Sequence, residues 1–233
     1  MVSDDLRAHY DDYYDGQTEW RRLGAIDKSS NIRRAWSSLI GAVEPTTVLE
    51  VGCGDGSVLE ELAGGGWNMQ GLDISTSGVL AAQTRGLAAQ VFDGEHLPFD
   101  DQSVDLVIMT HVVEHLENPR VMLREASRVA KYVFVEVPLE RNWRTKSDFV
   151  WTSLGHINIY DPLLIRHLIQ SSGIEVNYEL TTNPSLAVHR FHASRSGTAK
   201  WLIRTSALKH APPLARRLFT YHQSLLGAST GAP

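Results

Sequence analysis

The feature that most constrains the fold is a short strand followed at once by three glycines, in VLEVGCGDGS at residues 48–57. Its apolar residues, interrupted only by Glu50, predict a buried β-strand. Gly52, Gly54 and Gly56 then alternate with other residues. Glycine permits a tight turn from a strand into a helix and lets the backbone approach a ligand closely. The stretch therefore predicts either a plain strand-to-helix turn or a nucleotide-binding loop.

Strands and helices alternate after this loop. The predicted helices are SVLEELAGGG, STSGVLAAQTRG, NPRVMLREASRVA and DPLLIRHLIQSSG, and the predicted strands are TTVLEV, WNMQGLDIS, LAAQVFD, SVDLVIMT, YVFVEVP, IEVNYEL and SLAVHRFHA. This alternation is typical of an α/β fold, in which helices cover both faces of a parallel sheet. Only TTNP separates the last two predicted strands, which favours a hairpin and an antiparallel final strand.

Two segments flank this central region, to which we assign residues 44–195. An apolar stripe at helical spacing predicts an N-terminal helical lid over residues 1–43. Residues 196–233 are predicted to form a basic helical extension, because residues 180–233 carry seven lysines and arginines and no acid, although the net charge of the chain is −5. Such a segment favours packing on the acidic body, a homodimer contact or an anionic partner such as a membrane surface. The residues of the apolar stripe are Ile32, Ala35, Trp36, Leu39 and Ile40.

The composition is that of an ordinary globular protein, with 42% hydrophobic and 21% charged residues. No apolar run reaches the length of about eighteen residues that a transmembrane helix needs. The first residues are acidic and polar, which predicts no signal peptide. Cys53 is the one cysteine, so an intrachain disulfide is excluded. We therefore expect a cytoplasmic protein, with peripheral contact to the inner membrane face if the basic extension binds lipid.

An acid downstream of the loop strengthens the nucleotide-binding interpretation. Asp73 ends the second predicted strand, where dinucleotide-binding folds place a carboxylate that accepts hydrogen bonds from ribose hydroxyls. Asp73 is also suited to cap the next helix, and the two roles are compatible. Ser57 stands where a dinucleotide fingerprint requires glycine, and no Gly-Lys-Ser/Thr follows the loop. The loop therefore fits neither a nicotinamide dinucleotide nor a P-loop phosphate.

Three motifs together carry a family resemblance: VLEVGCGDGS, GLDIS and FDGEHLPFDDQSVDLVIMTHVVEHLENP. In this order they resemble the class I S-adenosylmethionine-dependent methyltransferases, and in particular the small-molecule type that includes ubiquinone-biosynthesis and sugar-modifying enzymes. The resemblance covers residues 44–195. It implies a Rossmann-like, seven-stranded methyltransferase sheet and S-adenosyl-L-methionine as the cofactor.

The resemblance also implies roles for individual residues. The three loop glycines would lie under the methionine part of the cofactor, and Glu50 would help to hold its amino group. Cys53 lies inside the loop and is counted among the predicted cofactor-binding residues; we interpret it as a small filler residue, because a catalytic thiol there would have no evident base in the sequence. Asp73 would bind the ribose. The remaining implied cofactor contacts are Ile74 on the adenine face, Asp93, Gly94 and Glu95 around the adenine amino group, and Thr110 and His111 near the sulfonium.

Methyl transfer to a hydroxyl needs a base, because a sugar or alkyl hydroxyl is a poor acid. Histidine suits this task near neutral pH. His156 lies in WTSLGHINIYDP, a predicted loop that opens at the carboxyl edge of the sheet, and similar enzymes often carry a histidine there. We predict that His156 is the general base, although a loop histidine bonded only to the backbone fits the sequence equally well.

The spacing of His111, Glu114 and His115 also admits a metal site. Metal signatures need more ligands, and the related families mostly use this stretch to shape the pocket, so no metal is predicted. Aromatic residues are predicted as pocket walls or as packing of the core and lid: Tyr10, Tyr13, Tyr14, Trp20, Trp143 and Trp151.

The sequence thus predicts a methyltransferase that O-methylates a small molecule or a saccharide. One alternative is a nucleic-acid methyltransferase acting on RNA, which the acidic core disfavours because polyanion binding needs a basic surface. The sequence MTHV after the fourth strand, in place of an Asn-Pro-Pro-Tyr type motif, also disfavours it. A second alternative is a non-catalytic protein that binds S-adenosylmethionine, against which the intact motifs argue.

Overall fold

The fold is described by a computed structural model for residue 14 and residues 18–39, 41, 43–145 and 156–231. Its strands are β1 Val48–Val51, β2 Met69–Asp73, β3 Ala89–Val91, β4 Val104–Thr110, β5 Ala130–Pro138, β6 Ile174–Thr182 and β7 His222–Ser229. They form one seven-stranded sheet in the order β3-β2-β1-β4-β5-β7-β6. β1 to β5 pair in parallel, and β7 is antiparallel to both of its neighbours. The predicted Rossmann-like α/β fold is therefore confirmed.

The helices cover the two faces of this sheet. Their bounds are α1 Thr18–Leu39, α2 Ser57–Ala63, α3 Thr76–Thr84, α4 Pro119–Val129, α5 Pro162–Gln170, α6 Leu186–His210 and α7 Pro212–Leu218, with a 3₁₀ turn at Val113–His115. Local sequence sets several of their starts: the side chain of Asp161 caps α5 and that of Ser75 caps α3. In the part of the chain that the structure describes, every helix is too short or too polar to cross a bilayer.

Two predicted elements near the end of the chain are wrong. SLAVHRFHA, predicted as a strand, belongs to α6, whose start is capped by the side chain of Ser185. Within residues 196–233, predicted as a helical extension, the segment PPLARRLFTYHQSLLG forms the short α7 and most of the strand β7. The final strand is antiparallel as predicted, but it comes from a later segment and not from a hairpin after TTNP. The division at residue 195 therefore falls inside α6, and the segment predicted as a helical extension supplies a strand of the core sheet.

The helix α1 closes one face of the sheet. Ile32, Ala35 and Trp36 are buried, as the apolar stripe predicts, whereas Ile40 lies outside the described residues. The ring of Trp36 meets Trp67 and Tyr132 edge to face, at centroid distances of 6.1 and 5.5 Å. This contact ties the C-terminal half of α1 to the core, near the starts of β2 and β5.

Candidate active site

A cavity of about 690 Å³ opens at the carboxyl ends of the parallel strands. In parallel α/β sheets this edge is where loops from neighbouring strands converge and ligands bind. Its walls come from the loop after β1, the ends of β2 and β4, the segment after β5, the start of β7 and the inner face of α1. The cavity is thus built from segments far apart in the sequence.

The glycine loop forms one wall of this cavity. Gly52 and Gly54 adopt left-handed backbone conformations, with φ of 75° and 51°. A Cβ added to Gly52 would overlap Cγ2 of Val112, and one added to Gly54 would lie 2.5 Å from the hydroxyl oxygen of Tyr14. Glycine is therefore favoured at both positions by the backbone conformation and by the lack of room for a Cβ atom, as expected for a loop whose backbone closely approaches neighbouring side chains.

Asp73 lies beside this loop at the end of β2. Its Oδ2 accepts a hydrogen bond from the backbone N–H of Gly54 at 2.7 Å, and its Oδ1 accepts one from Ser75 at 2.8 Å. These bonds hold the carboxylate at the cavity wall, where Asp73 is a lining residue. The second of them orients Ser75, whose own side chain is the N-cap of α3, so the capping role suggested for Asp73 is wrong.

Glu50 is the most unusual acid of the site. It is 1% exposed, and its Oε2 has no hydrogen-bond partner among the described residues. Burial, together with the charges of Asp73 and Asp55, raises the pKa of Glu50 to about 8, although the charge of Lys28 acts in the opposite direction. A buried carboxylate oxygen without a partner is costly, and an ammonium group would satisfy it. Glu50 therefore fits the amino group of an amino-acid ligand.

The structure brings most of the other predicted cofactor residues to the same cavity. Gly56 and Asp93 are the exceptions, since neither lines the cavity. Asp93 is exposed, and its Oδ1 accepts hydrogen bonds from the backbone N–H groups of Glu95 and His96. Its predicted contact to an adenine amino group stays a prediction. Ten of the predicted cofactor residues line the cavity. Besides the four already described, they are Cys53, Ile74, Gly94, Glu95, Thr110 and His111.

Gly56 and Cys53 act inside the loop. Gly56, with φ of 75°, is the N-cap of α2, and a Cβ there would lie 2.5 Å from Cδ1 of Leu87. Burial is the main reason that the pKa of the Cys53 thiol lies far above its ordinary value. A thiol in this environment is not a nucleophile, which agrees with the filler role predicted for Cys53.

The predicted base, His156, lies on the cavity wall and is held by an acid. Its Nδ1 is 2.7 Å from Oε2 of Glu140, and its ring meets His115 edge to face at 4.7 Å. Burial lowers the pKa of His156, but the hydrogen bond and charge of Glu140, with the charge of Glu114, outweigh it and raise the pKa above the ordinary value. The residue is therefore an oriented imidazole.

A second pair of histidines lies at the ends of β4 and β7. His111 has a positive φ of 57°, and its ring is 4.7 Å from that of His222. Burial is the largest cause that lowers the pKa of His111 to about 3, and burial also holds the pKa of His222 well below 6.5. Both rings are therefore neutral at physiological pH.

Sequence reasoning missed several lining residues. Lys28 comes from α1, Glu140 from the segment after β5 and His222 from β7. The position of Glu140 just after a buried strand was a usable signal, because such residues reach the ligand edge of a parallel sheet. His222 carried no such signal, because its strand was predicted as a helix.

Two of the aromatic residues predicted as pocket walls line the cavity, and a third does not. Tyr14 and Trp20 line the cavity, and the ring of Trp20 meets that of His192 at 4.4 Å. Trp143 is 67% exposed and does not line the cavity; the guanidinium of Arg217 lies 5.8 Å from its ring centroid. Tyr10, Tyr13 and Trp151 lie outside the described residues.

Comparison with known proteins agrees with this geometry. The model of a family described as "Methyltransferase domain" matches residues 49–132. The ubiquinone biosynthesis O-methyltransferase of Hydrogenovibrio crunogenus is 26% identical over 133 residues, which are 53% of this chain and 55% of that protein. The chain thus spans about half the length of the curated relatives it matches.

Solved structures share the fold at low sequence identity. Geranyl diphosphate C-methyltransferase from Streptomyces coelicolor superposes with a TM-score of 0.69, at 13% identity and with 97% of each chain covered. Magnesium protoporphyrin IX methyltransferase from Synechocystis, with S-adenosylhomocysteine bound, gives a TM-score of 0.61 at 18% identity, covering 97% of this chain and 98% of the other. Residues 49–132 therefore match a methyltransferase domain, the sheet has the fold of S-adenosylmethionine-dependent methyltransferases, and S-adenosyl-L-methionine is the cofactor that this match supports.

Proposed function

We propose that this protein is an O-methyltransferase that transfers the methyl group of S-adenosylmethionine to a hydroxyl of a small molecule or saccharide, with His156 as the general base. The observation that carries the proposal is the His156–Glu140 pair, with 2.7 Å between Nδ1 and Oε2, on the wall of the same cavity that the glycine loop lines. Ubiquinone O-methyltransferases among the relatives support the oxygen as acceptor atom.

The cofactor half of the cavity is assigned to the glycine loop and its two acids. Glu50 offers the amino group a buried oxygen that has no hydrogen-bond partner among the described residues, and Asp73 offers its carboxylate to the ribose. When bound, the cofactor supplies an electrophilic methyl group on sulfur. The task of the chain is to align the acceptor oxygen with that methyl group and to remove the hydroxyl proton.

The geometry of His156 suits proton removal. When neutral His156 donates from Nδ1 to Glu140, its lone pair lies on Nε2, which can then accept the proton of an acceptor hydroxyl. Glu140 fixes the orientation of the ring and stabilises the imidazolium that forms. The segment just beyond is anchored as well, because Ile157 and Asn158 donate backbone hydrogen bonds to the carbonyl of Glu114, at 3.0 and 2.9 Å.

A screen with cofactor labelled in its methyl group tests the reaction class. Catechols, phenols and monosaccharide glycosides are offered beside small amines and RNA, and transfer to a hydroxyl acceptor is expected. Transfer only to amines or to RNA would contradict the proposal and favour the alternatives. Binding of S-adenosylhomocysteine is measured in parallel by calorimetry, so that loss of the cofactor site is recognised separately.

The role of His156 is tested on the best acceptor from that screen. His156→Gln is expected to lower kcat by roughly 100-fold or more while cofactor affinity is kept, because general-base catalysis contributes about 10²- to 10⁴-fold. His167→Gln, which changes an exposed histidine on α5, is the matched control. Unchanged turnover in His156→Gln would refute the assignment of the base.

Contact of the basic C-terminal segment with a membrane surface, and a homodimer, remain predictions. Leu202 and Ile203 on α6 are 55% and 61% exposed, which leaves apolar surface among basic residues there. Sedimentation with anionic vesicles, compared with the variant Leu202→Ser/Ile203→Ser, tests the first of these.

A further inference from the structure

A cluster of three residues beside the cavity has the chemistry of a metal site. His111 follows β4, Glu136 lies within β5, and His222 begins β7. Nε2 of His111 is 3.8 Å from Oε1 of Glu136, and Nδ1 of His222 is 3.7 Å from the same oxygen. One ligand atom from each residue lies within 4.8 Å of the other two. These residues come from three adjacent strands of the sheet, so the backbone fixes their separation.

Two of the three ligand atoms lack partners. Oε1 of Glu136 and Nε2 of His111 are buried and have no hydrogen-bond partner among the described residues. Glu136 itself is 0% exposed. A buried carboxylate oxygen without a partner is expensive, and so is an imidazole nitrogen without one. Both atoms face the same small volume, and a cation placed between them would remove both costs.

The surroundings of Glu136 resemble the supporting shell of a metal ligand. Its other oxygen, Oε2, accepts hydrogen bonds from Nδ2 of Asn31 at 2.8 Å and from the hydroxyl of Ser224 at 2.7 Å. These bonds fix the carboxylate and leave Oε1 directed toward the histidines. Nδ1 of His111 lies 3.3 Å from Oε1 of Glu114, a contact without hydrogen-bond geometry, since neither oxygen of Glu114 has a hydrogen-bond partner among the described residues. Hydrogen bonds that hold a ligating carboxylate, like those from Asn31 and Ser224 to Glu136, are a regular feature of metal sites.

The distances fit a transition metal after a small contraction. Metal–nitrogen and metal–oxygen bonds of about 2.0–2.2 Å place tetrahedral ligand atoms roughly 3.4 Å apart. The two separations that involve Glu136, 3.7 and 3.8 Å, need to close by only a few tenths of an ångström, and the two histidine nitrogens lie within 4.8 Å of each other. Two imidazoles and one carboxylate favour zinc-like or iron-like divalent ions, whereas magnesium prefers oxygen ligands.

We propose that His111, Glu136 and His222 form a binding site for a first-row divalent transition metal, with its open coordination positions toward the cavity. His111 and His222 both line that cavity. A cation there can bind an acceptor oxygen directly and favour its deprotonated form. Binding of the metal itself does not depend on the proposed methyl transfer.

Titration with Zn²⁺ alone tests the site on full-length protein stripped with a chelator, and Co²⁺ is used in parallel because its visible spectrum reports nitrogen and oxygen ligands. One ion is expected to bind per chain. Glu136→Gln and His222→Gln are each expected to weaken binding at least about 100-fold, and Asn31→Ala about 10- to 100-fold. Thermal unfolding without metal shows that each variant is folded.

Two controls separate this site from its surroundings. His96→Gln changes a histidine whose side chain is 69% exposed, and it is expected to leave binding unchanged. His115→Gln removes a member of the neighbouring cluster of Glu114, His115 and His156, and it is expected to have little effect. Absence of Zn²⁺ and Co²⁺ binding at micromolar concentration would overturn the proposal. Binding that is lost in His115→Gln but kept in His222→Gln would overturn it as well.

Discussion

Replacement of Glu50 by glutamine separates the stability of the fold from the binding of its cofactor. Burial and nearby acids raise the pKa of Glu50 from 4.5 to about 8. The folded protein therefore holds this proton more tightly than the unfolded chain does. The stabilisation from the protonated carboxyl is fully present below pH 4.5 and is lost as the pH rises through about 8.

The size of the effect follows from that shift. One pKa unit corresponds to about 1.36 kcal/mol, so keeping the buried carboxyl protonated, where the unfolded chain would ionise it, costs roughly 3 kcal/mol at pH 7 and less than about 1 kcal/mol at pH 5. Glutamine keeps the shape and carries no charge. Without cofactor, Glu50→Gln is expected to raise Tm by roughly 6 to 12 °C at pH 7, and only slightly at pH 5.

The same variant is expected to bind its cofactor less tightly. A hydrogen bond between a carboxylate and an ammonium contributes about 1.5–3 kcal/mol, so the Kd for S-adenosylhomocysteine is expected to rise by roughly 10- to 150-fold. Thermal unfolding at pH 5 and pH 7 and calorimetry at pH 7 measure the two effects. Glu175→Gln, at an exposed acid on β6, is the matched control. An equal Tm change at both pH values would refute the burial argument, and an unchanged Kd would refute the role of Glu50.

Three further changes test other parts of the structure. Gly52→Ala should weaken S-adenosylhomocysteine binding, because a Cβ there overlaps Val112. The control is Gly66→Ala: Gly66 has φ of 96° but open space around it, so the substitution introduces backbone strain without a steric clash and should leave the affinity unchanged in the same calorimetry. Trp36→Ala should lower the unfolding free energy by about 3 to 5 kcal/mol in urea denaturation. Glu140→Gln should move the acidic limb of the kcat/KM pH profile to lower pH, because it removes the group that raises the pKa of His156; an unmoved limb would show that another group titrates.

Much of the fold could be predicted because its central strands are covered on both faces. β4 is almost entirely apolar, and such a run between turn residues is hard to interpret in another way. The helices around it carry their own start signals, such as Asp161 before Pro162. The glycine loop could be predicted as well, because Gly52 and Gly54 have positive φ angles that other residues rarely adopt, and glycine at these positions is visible in the sequence.

The C-terminal region could not be predicted in the same way because neighbours decide its structure. β7 contains few strongly apolar residues, among them Leu225 and Leu226, yet it pairs with a strand on each side. Backbone pairing on both edges outweighs its weak local preference. The first part of α6 was predicted as a strand because its sequence carries no clear helical pattern. Val188 is buried whereas the nearby Phe191 is exposed, so no regular apolar stripe marks this segment as a helix.

The antiparallel insertion of β7 has a chemical consequence for the site. Parallel strands bring their last residues to the carboxyl edge of the sheet, as β4 does with Thr110. An antiparallel strand in the same sheet brings its first residue there instead, and His222 is paired with Pro138 at the end of β5 and with Thr182 at the end of β6. The site is therefore assembled from strand ends and from one strand start. In a chain of this fold, a polar side chain at the beginning of an inserted antiparallel strand belongs among the candidate site residues, even where its position in the sequence lies far from every motif.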